Sequence, residues 1–116
     1  MQEQMKNKIY YSPEARQDLD KIWEHIASEL QNPSAAEKTI NHILPAVSQL
    51  EDFAEIGALL SSIADVEGDY RVLVTGNYLA FYRTLRGEVY VDRILYGRRD
   101  YLRILFGDIA GKEPAE

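Results

Sequence analysis

Between Leu50 and Tyr70 the apolar residues of this chain change their spacing, from one every three or four positions to one every two. That change restricts the fold, because a 3.6-residue stripe can bury its apolar side only as a helix and a two-residue alternation only as a strand. Helices gathered in one half and strands in the other predict an α+β domain, not an alternating βαβ chain. A short apolar run, Ile9–Tyr11, supplies a first strand. Ser12-Pro13-Glu14 then opens a helix with a hydroxyl cap, a proline at the first helical position and an acid in the first turn. Its stripe runs through Ala15, Leu19, Ile22, Trp23, Ile26, Ala27 and Leu30. Asn32-Pro33-Ser34 stops it and caps a second helix, whose stripe is Ala36, Ile40, Ile43, Leu44, Val47 and Leu50. So short a loop predicts an antiparallel helical hairpin. Its expected core is Leu19, Ile22, Trp23, Ile26, Ile40, Ile43, Leu44 and Val47. Pro45 falls inside the second helix, where it removes a hydrogen bond.

Phe53 to Asp69 reads as an irregular connection with a turn of helix near Ala58–Ser62. Three strands follow: Tyr70–Val74, a turn at Thr75-Gly76-Asn77, Tyr78–Thr84, a turn at Leu85-Arg86-Gly87, then Glu88–Tyr96. Gly97-Arg98-Arg99-Asp100 leads into an apolar cluster, Tyr101 to Phe106, that suits a short closing helix. The order is β-α-α-β-β-β(-α). The helical hairpin should cover one face of a small, mainly antiparallel sheet and leave the other face open. The length fits one domain over 1–116, with residues 1–7 and 107–116 polar enough to fray.

Charge is distributed unevenly. Residues 1–69 carry five basic and thirteen acidic side chains, net −8, whereas 70–106 carry seven and three, net +4, every cation being arginine. Like charges concentrated on a small sheet repel one another unless a partner neutralises them. The overall charge of −6 disfavours a general nucleic-acid binder, which gains affinity by releasing counterions with many Lys and Arg. There is no cysteine, which excludes disulfides and thiolate zinc sites and suits a reducing cytoplasm. No apolar run suggests a signal peptide or a membrane span. No metal or cofactor is expected.

Three stretches resemble a known family. The opening helix carries Ser12, Pro13, Glu14, Ala15, Leu19, Ile22, Trp23 and Ile26; the middle strand carries Gly76, Tyr78, Phe81, Tyr82 and Arg83; the ending carries Arg93, Ile94, Leu95, Gly97, Arg98, Arg99 and Asp100. Together they resemble the RelE/ParE superfamily of toxins from bacterial type II toxin–antitoxin systems, also known as plasmid-stabilisation proteins, over nearly the whole chain. The ending is similar to the ParE branch. That resemblance implies a non-catalytic growth inhibitor that binds a protein target such as DNA gyrase. It also implies a cognate antitoxin, encoded adjacently, that forms a hetero-oligomer with the toxin in the cytoplasm. Two alternatives stay open: a RelE-like ribonuclease that cleaves mRNA on the ribosome, and a member that binds antitoxin without toxicity.

Cleavage by 2′-hydroxyl attack needs a proton acceptor, a proton donor and cations over the phosphate. The RelE resemblance would put an arginine after the aromatic that opens the middle strand, where this chain has Leu79 after Tyr78. Two lysines of the preceding strand correspond to Arg71 and Leu73, and Arg99 matches the arginine after the final glycine. The histidine near the C-terminus is absent, and His25 and His42 read as solvated helix residues. A nuclease set would therefore rest on Arg71, Arg83 and Arg99 alone. For binding a target or an antitoxin the candidates are Arg71, Arg83, Arg93, Arg98, Arg99, Tyr101 and Arg103. Strand alternation puts Arg71 with Leu73, and Leu79 with Phe81 and Arg83, on what is expected to be one shared open face. A salt bridge between Arg93 and Asp100 is expected to pin the closing turn.

Overall fold

A computed structural model describes residues 6–62, 68–97 and 104–105. Strand β1 (Lys8–Tyr11) leads directly into helix α1 (Pro13–Glu24), which widens into a π turn at His25–Glu29. Helix α2 (Pro33–Ser48) returns antiparallel, and β2 (Ala58–Leu59), β3 (Arg71–Thr75), β4 (Tyr78–Leu85) and β5 (Glu88–Tyr96) follow. The caps form as their residues dictate. Ser12 Oγ accepts from the Ala15 N–H at 2.9 Å, and Asn32 Oδ1 accepts from the Ala35 N–H at 3.1 Å. The π turn closes with Gln31 at φ 52° and the Asn32 N–H donating back to the Ile26 carbonyl, a Schellman-type ending without the usual glycine. Pro45 lies within α2.

The five strands form one sheet in the order β1-β5-β4-β3-β2, parallel only between β1 and β5. The fold is α+β, with the two helices packed on this mixed sheet. Both hairpins have two-residue loops. Gly76 alone is left-handed in the first (φ 66°), whereas Arg86 and Gly87 both are in the second (φ 43° and 81°). Under the helices lies a core of Ala15, Ile43, Val47, Leu50, Ala80, Tyr82, Val89, Val91 and Ile94.

Several expectations need correction. The connection after α2 contains a short edge strand, β2, followed by a 3₁₀ turn at Leu60–Ser62, so the expected helical turn covers only its second half. The far side of the sheet is not bare. Leu60, Val72, Phe81 and Leu95 form a second buried cluster there, and Ile104 and Leu105, both helical, pack against it. The rest of the expected closing segment, 98–103 and 106, lies outside the described residues.

The helix face is also rotated. Ile26, Ile43 and Val47 are buried, but Trp23 is 42% exposed and Leu44 36%. The cause is Asp18, which is only 7% exposed. Its carboxylate must reach β5, and this turns the buried line of α1 to Ala15, Asp18, Ile22 and Ile26 and carries Trp23 outward.

Candidate functional site

Arginine placement defines the site. Arg93 on β5 donates twice to Asp18, Nε to Oδ2 and an Nη to Oδ1, both at 2.8 Å, while the Ile94 N–H donates to the same Oδ2 at 2.9 Å. This fork holds α1 against the sheet, and its hydrogen bonds to Asp18 push the Arg93 pKa further up. Arg93 is thus bound to Asp18; its expected partner, Asp100, lies outside the described residues. Arg71 turns to the chain's own loop, donating to the carbonyls of Gly57 at 2.7 Å and Glu55 at 3.3 Å. Beside it the buried Tyr82 hydroxyl accepts from the Gly57 N–H and donates to the Ala54 carbonyl, so the loop is fixed from two strands.

Arg83 differs from both. A β-bulge in β5 leaves Asp92 as the extra residue, since Phe81 pairs with Arg93 but Tyr82 with Val91. Asp92 Oδ2 accepts from Arg83 Nε at 3.1 Å and from the Tyr70 hydroxyl at 2.6 Å. The Arg83 guanidinium also lies 5.7 Å from the centre of the Tyr70 ring. Burial first, and then the bond to Asp92, push the Tyr70 pKa up to about 12. The Arg83 side chain remains about half exposed, and among the described residues no hydrogen bond engages its terminal amino groups. Beside this network Tyr10 and Tyr90 stack with centroids 5.4 Å apart, and Tyr10 and Leu85 are exposed. The Tyr90 hydroxyl bonds Glu88.

The hairpin register separates what was expected to share a face. Arg71 pairs with Tyr82 and Leu73 with Ala80, and Leu73 packs against the core under the helices. Leu79, Phe81 and Arg83 point the other way. Leu79 packs into the second cluster, so the position where a ribonuclease would hold phosphate is an apolar packing position here. His25 bonds Glu29 at 2.9 Å in the π turn, and His42 on α2 lies against Gly76. Among the described residues no group of His, Cys, Asp and Glu could hold a metal ion, and no helix is long and apolar enough to cross a membrane. Arg98, Arg99, Tyr101 and Arg103 lie outside the described residues. Sequence reasoning missed Asp18, Asp92 and Tyr70. For Asp18 a signal existed, because it falls in phase with Ala15 and Ile22 on a helical stripe.

This layout, a helical hairpin over a sheet whose bulged last strand carries arginines, has known counterparts. The family model described as "ParE toxin of type II toxin-antitoxin system, parDE" matches residues 9–101. The chain belongs to the ParE toxin family. Among solved structures it is similar to one titled "Chromosomal ParDE TA system from P. aeruginosa", with a TM-score of 0.65 and 27% identity, covering 78% of this chain and 95% of the other. No curated protein sequence matches. Within the ParE family the matched region includes Arg71, Arg83 and Arg93 and reaches as far as Tyr101.

Proposed function

We propose that this ParE family member is the toxin of a type II pair, that it arrests growth by binding a protein target such as DNA gyrase, and that a cognate antitoxin silences it in the cytoplasm. One observation carries the choice of a binding over a cleaving mechanism. Leu79 packs into an apolar cluster at the position a ribonuclease would give to a phosphate-holding arginine, and Arg71 is turned onto the chain's own loop. What remains outward is a half-exposed guanidinium among tyrosines, a combination suited to charge-assisted bonds with carboxylates of a protein. Similarity to a ParDE system supports an antitoxin as one such partner. In this reading Arg83, with Arg98, Arg99, Tyr101 and Arg103 beyond Gly97, meets acidic side chains of the target or of the antitoxin.

The test is induced expression with and without the adjacent reading frame, scoring growth, plasmid supercoiling and mRNA cleavage together. Growth arrest with altered supercoiling, relieved by the adjacent product and lost in the Arg98→Ala/Arg99→Ala pair, is the expected result. Site-specific cleavage of ribosome-bound mRNA with supercoiling unchanged overturns it in favour of a ribonuclease. Normal growth with a stable antitoxin complex would make the chain a binding partner without toxicity.

A further inference from the structure

Thr75, the last residue of β3, is 2% exposed, and its Oγ1 has no hydrogen-bond partner among the described residues. No other buried side-chain nitrogen or oxygen among them is left in that state. Alternation puts Thr75 in phase with Leu73, on the helix side of the sheet. There it lines the floor of a pocket of about 280 Å³ between the β3–β4 turn and α2, with the fully buried Ile43 beside it. A hydroxyl unpaired in an interior costs free energy, so a group at this position calls for a partner. Because Thr75 lines the pocket, one staggered step about χ1 is enough to present its hydroxyl there.

The rim of the pocket is basic. Lys38 and His42 stand one turn apart on α2, and both side chains are exposed. Neither makes a hydrogen bond or an ion pair among the described residues, and no acid occupies the third or fourth position before or after either of them. The lining holds no carboxylate, although residues 1–69 carry thirteen acids against five bases. Gly76 takes φ 66°, and a Cβ there would stand 3.5 Å from His42 Cδ2 and 3.7 Å from Nε2, so the Nε2 edge of the imidazole lies beside the turn. Asn77 adds an amide from the turn itself. Thr39 is already committed as a donor, since its hydroxyl bonds the Ala35 carbonyl at 2.9 Å.

We propose that this pocket binds a small phosphate, either the free ion or a monoester of a small metabolite. The Lys38 ammonium, the His42 ring, the Asn77 amide and the Thr75 hydroxyl approach from a helix and a hairpin, and a tetrahedral anion offers acceptor oxygens in several directions at once. A volume just under the roughly 300 Å³ at which drug-sized pockets begin limits the ligand to a small one. Bound phosphate would give Thr75 its missing partner and tie α2 to the β3–β4 turn. The site is separate from the arginine corner and does not depend on the toxin reading.

Inorganic phosphate and glycerol phosphate, each titrated into the isotope-labelled full chain at constant ionic strength, are the probes. The amides of Thr75, Gly76 and Asn77 should shift saturably, and a matched chloride titration should leave them in place. Whichever probe saturates at the lower concentration identifies the free ion or the ester as the ligand. Lys38→Gln combined with His42→Gln should weaken binding about tenfold or more while leaving the urea midpoint unchanged, because both side chains are exposed and unpaired. Thr75→Val keeps the shape and removes the hydroxyl. It should weaken phosphate binding and leave stability in phosphate-free buffer unchanged or raised. Shifts that never saturate, that spread equally over the arginine-bearing strands, or that survive in the double Gln variant would mean an adventitious ion only and overturn the proposal. A loss of stability in Thr75→Val without phosphate would overturn it too, since the hydroxyl would then already be paired within the fold.

Discussion

Two arginine–aspartate pairs on adjacent strands separate the part of this molecule that holds it together from the part that faces outward. Arg93 and Asp18 form a two-pronged contact, with side-chain exposures of 27% and 8%, and the carboxylate also takes a backbone N–H. Arg83 and Asp92 share a single bond of 3.1 Å at 48% and 21% exposure, leaving about half of the arginine side chain open to water. In the first pair the Asp18 carboxylate has lost nearly all its contact with water and takes three hydrogen bonds in exchange, so removing either member strands the other. In the second, water replaces a lost partner at little cost. Arginines clustered in sequence are thus of two physical kinds, and the exposed kind can exchange its own aspartate for a partner's carboxylate.

The strongest way to break this comparison is Asp18→Ala. It leaves the Arg93 guanidinium and the Ile94 N–H without their acceptor and should cost about 3–5 kcal/mol, toward the lower end because Arg93 is partly exposed. Urea unfolding measures it, and a loss under about 1 kcal/mol would show that the pair does not anchor α1. Tyr82→Phe extends the same logic to a neutral group. It strands the Gly57 N–H and the Ala54 carbonyl and should cost about 1–3 kcal/mol, with faster amide exchange in the loop between them. If the loop stays protected, Arg71 alone is sufficient to hold it.

How much of this was legible in the sequence depends on the range over which each signal acts. The two helix caps, the two hairpins and the limits of β5 are local and were readable. β2, at two residues, is too short for any periodicity, and the β1–β5 pairing joins residues about 80 positions apart. The face of Arg71 turned on one residue. A three-residue turn would have paired Val74 with Tyr78 and Arg71 with Phe81, on one face with Arg83, whereas the actual two-residue loop pairs Thr75 with Tyr78 and sends Arg71 and Arg83 to opposite faces. Trp23 was misplaced because a hydrophobic stripe carries no information about a buried carboxylate. Of the candidate binding residues, Arg71 and Arg93 are found engaged with their own chain, and Arg83 with Asp92 and the Tyr70 ring.

A smaller effect sharpens the Arg83 side of the comparison through pH. The Tyr70 pKa, raised to about 12 from 10.0, means that folding favours the neutral phenol. Its contribution is therefore complete below pH 10 and is lost as the pH rises toward 12. Because the ring is partly exposed, solvent screening should hold the loss to roughly 1 kcal/mol. Tyr70→Phe should flatten the stability profile over that window alone, and an unchanged profile would mean that Asp92 is not bonded to Tyr70 in solution.

Arg83→Ala should have the least effect on stability and the most on binding, and that contrast is what the comparison asserts. The bond it removes lies at an exposed ion pair, worth about 0.5 kcal/mol or less, and Asp92 keeps its bond to Tyr70. Urea midpoints of variant and parent should nearly coincide. If Arg83 supplies a charge-assisted bond to a carboxylate of the partner, antitoxin affinity or growth inhibition should nevertheless fall about tenfold or more, and Arg83→Lys should restore only part of it, since an ammonium keeps the charge but not the planar fork. A variant that loses stability along with binding would place Arg83 with Arg93, as a residue that holds the sheet together. One that loses neither would leave the partner surface to the tyrosine stack and the segment beyond Gly97.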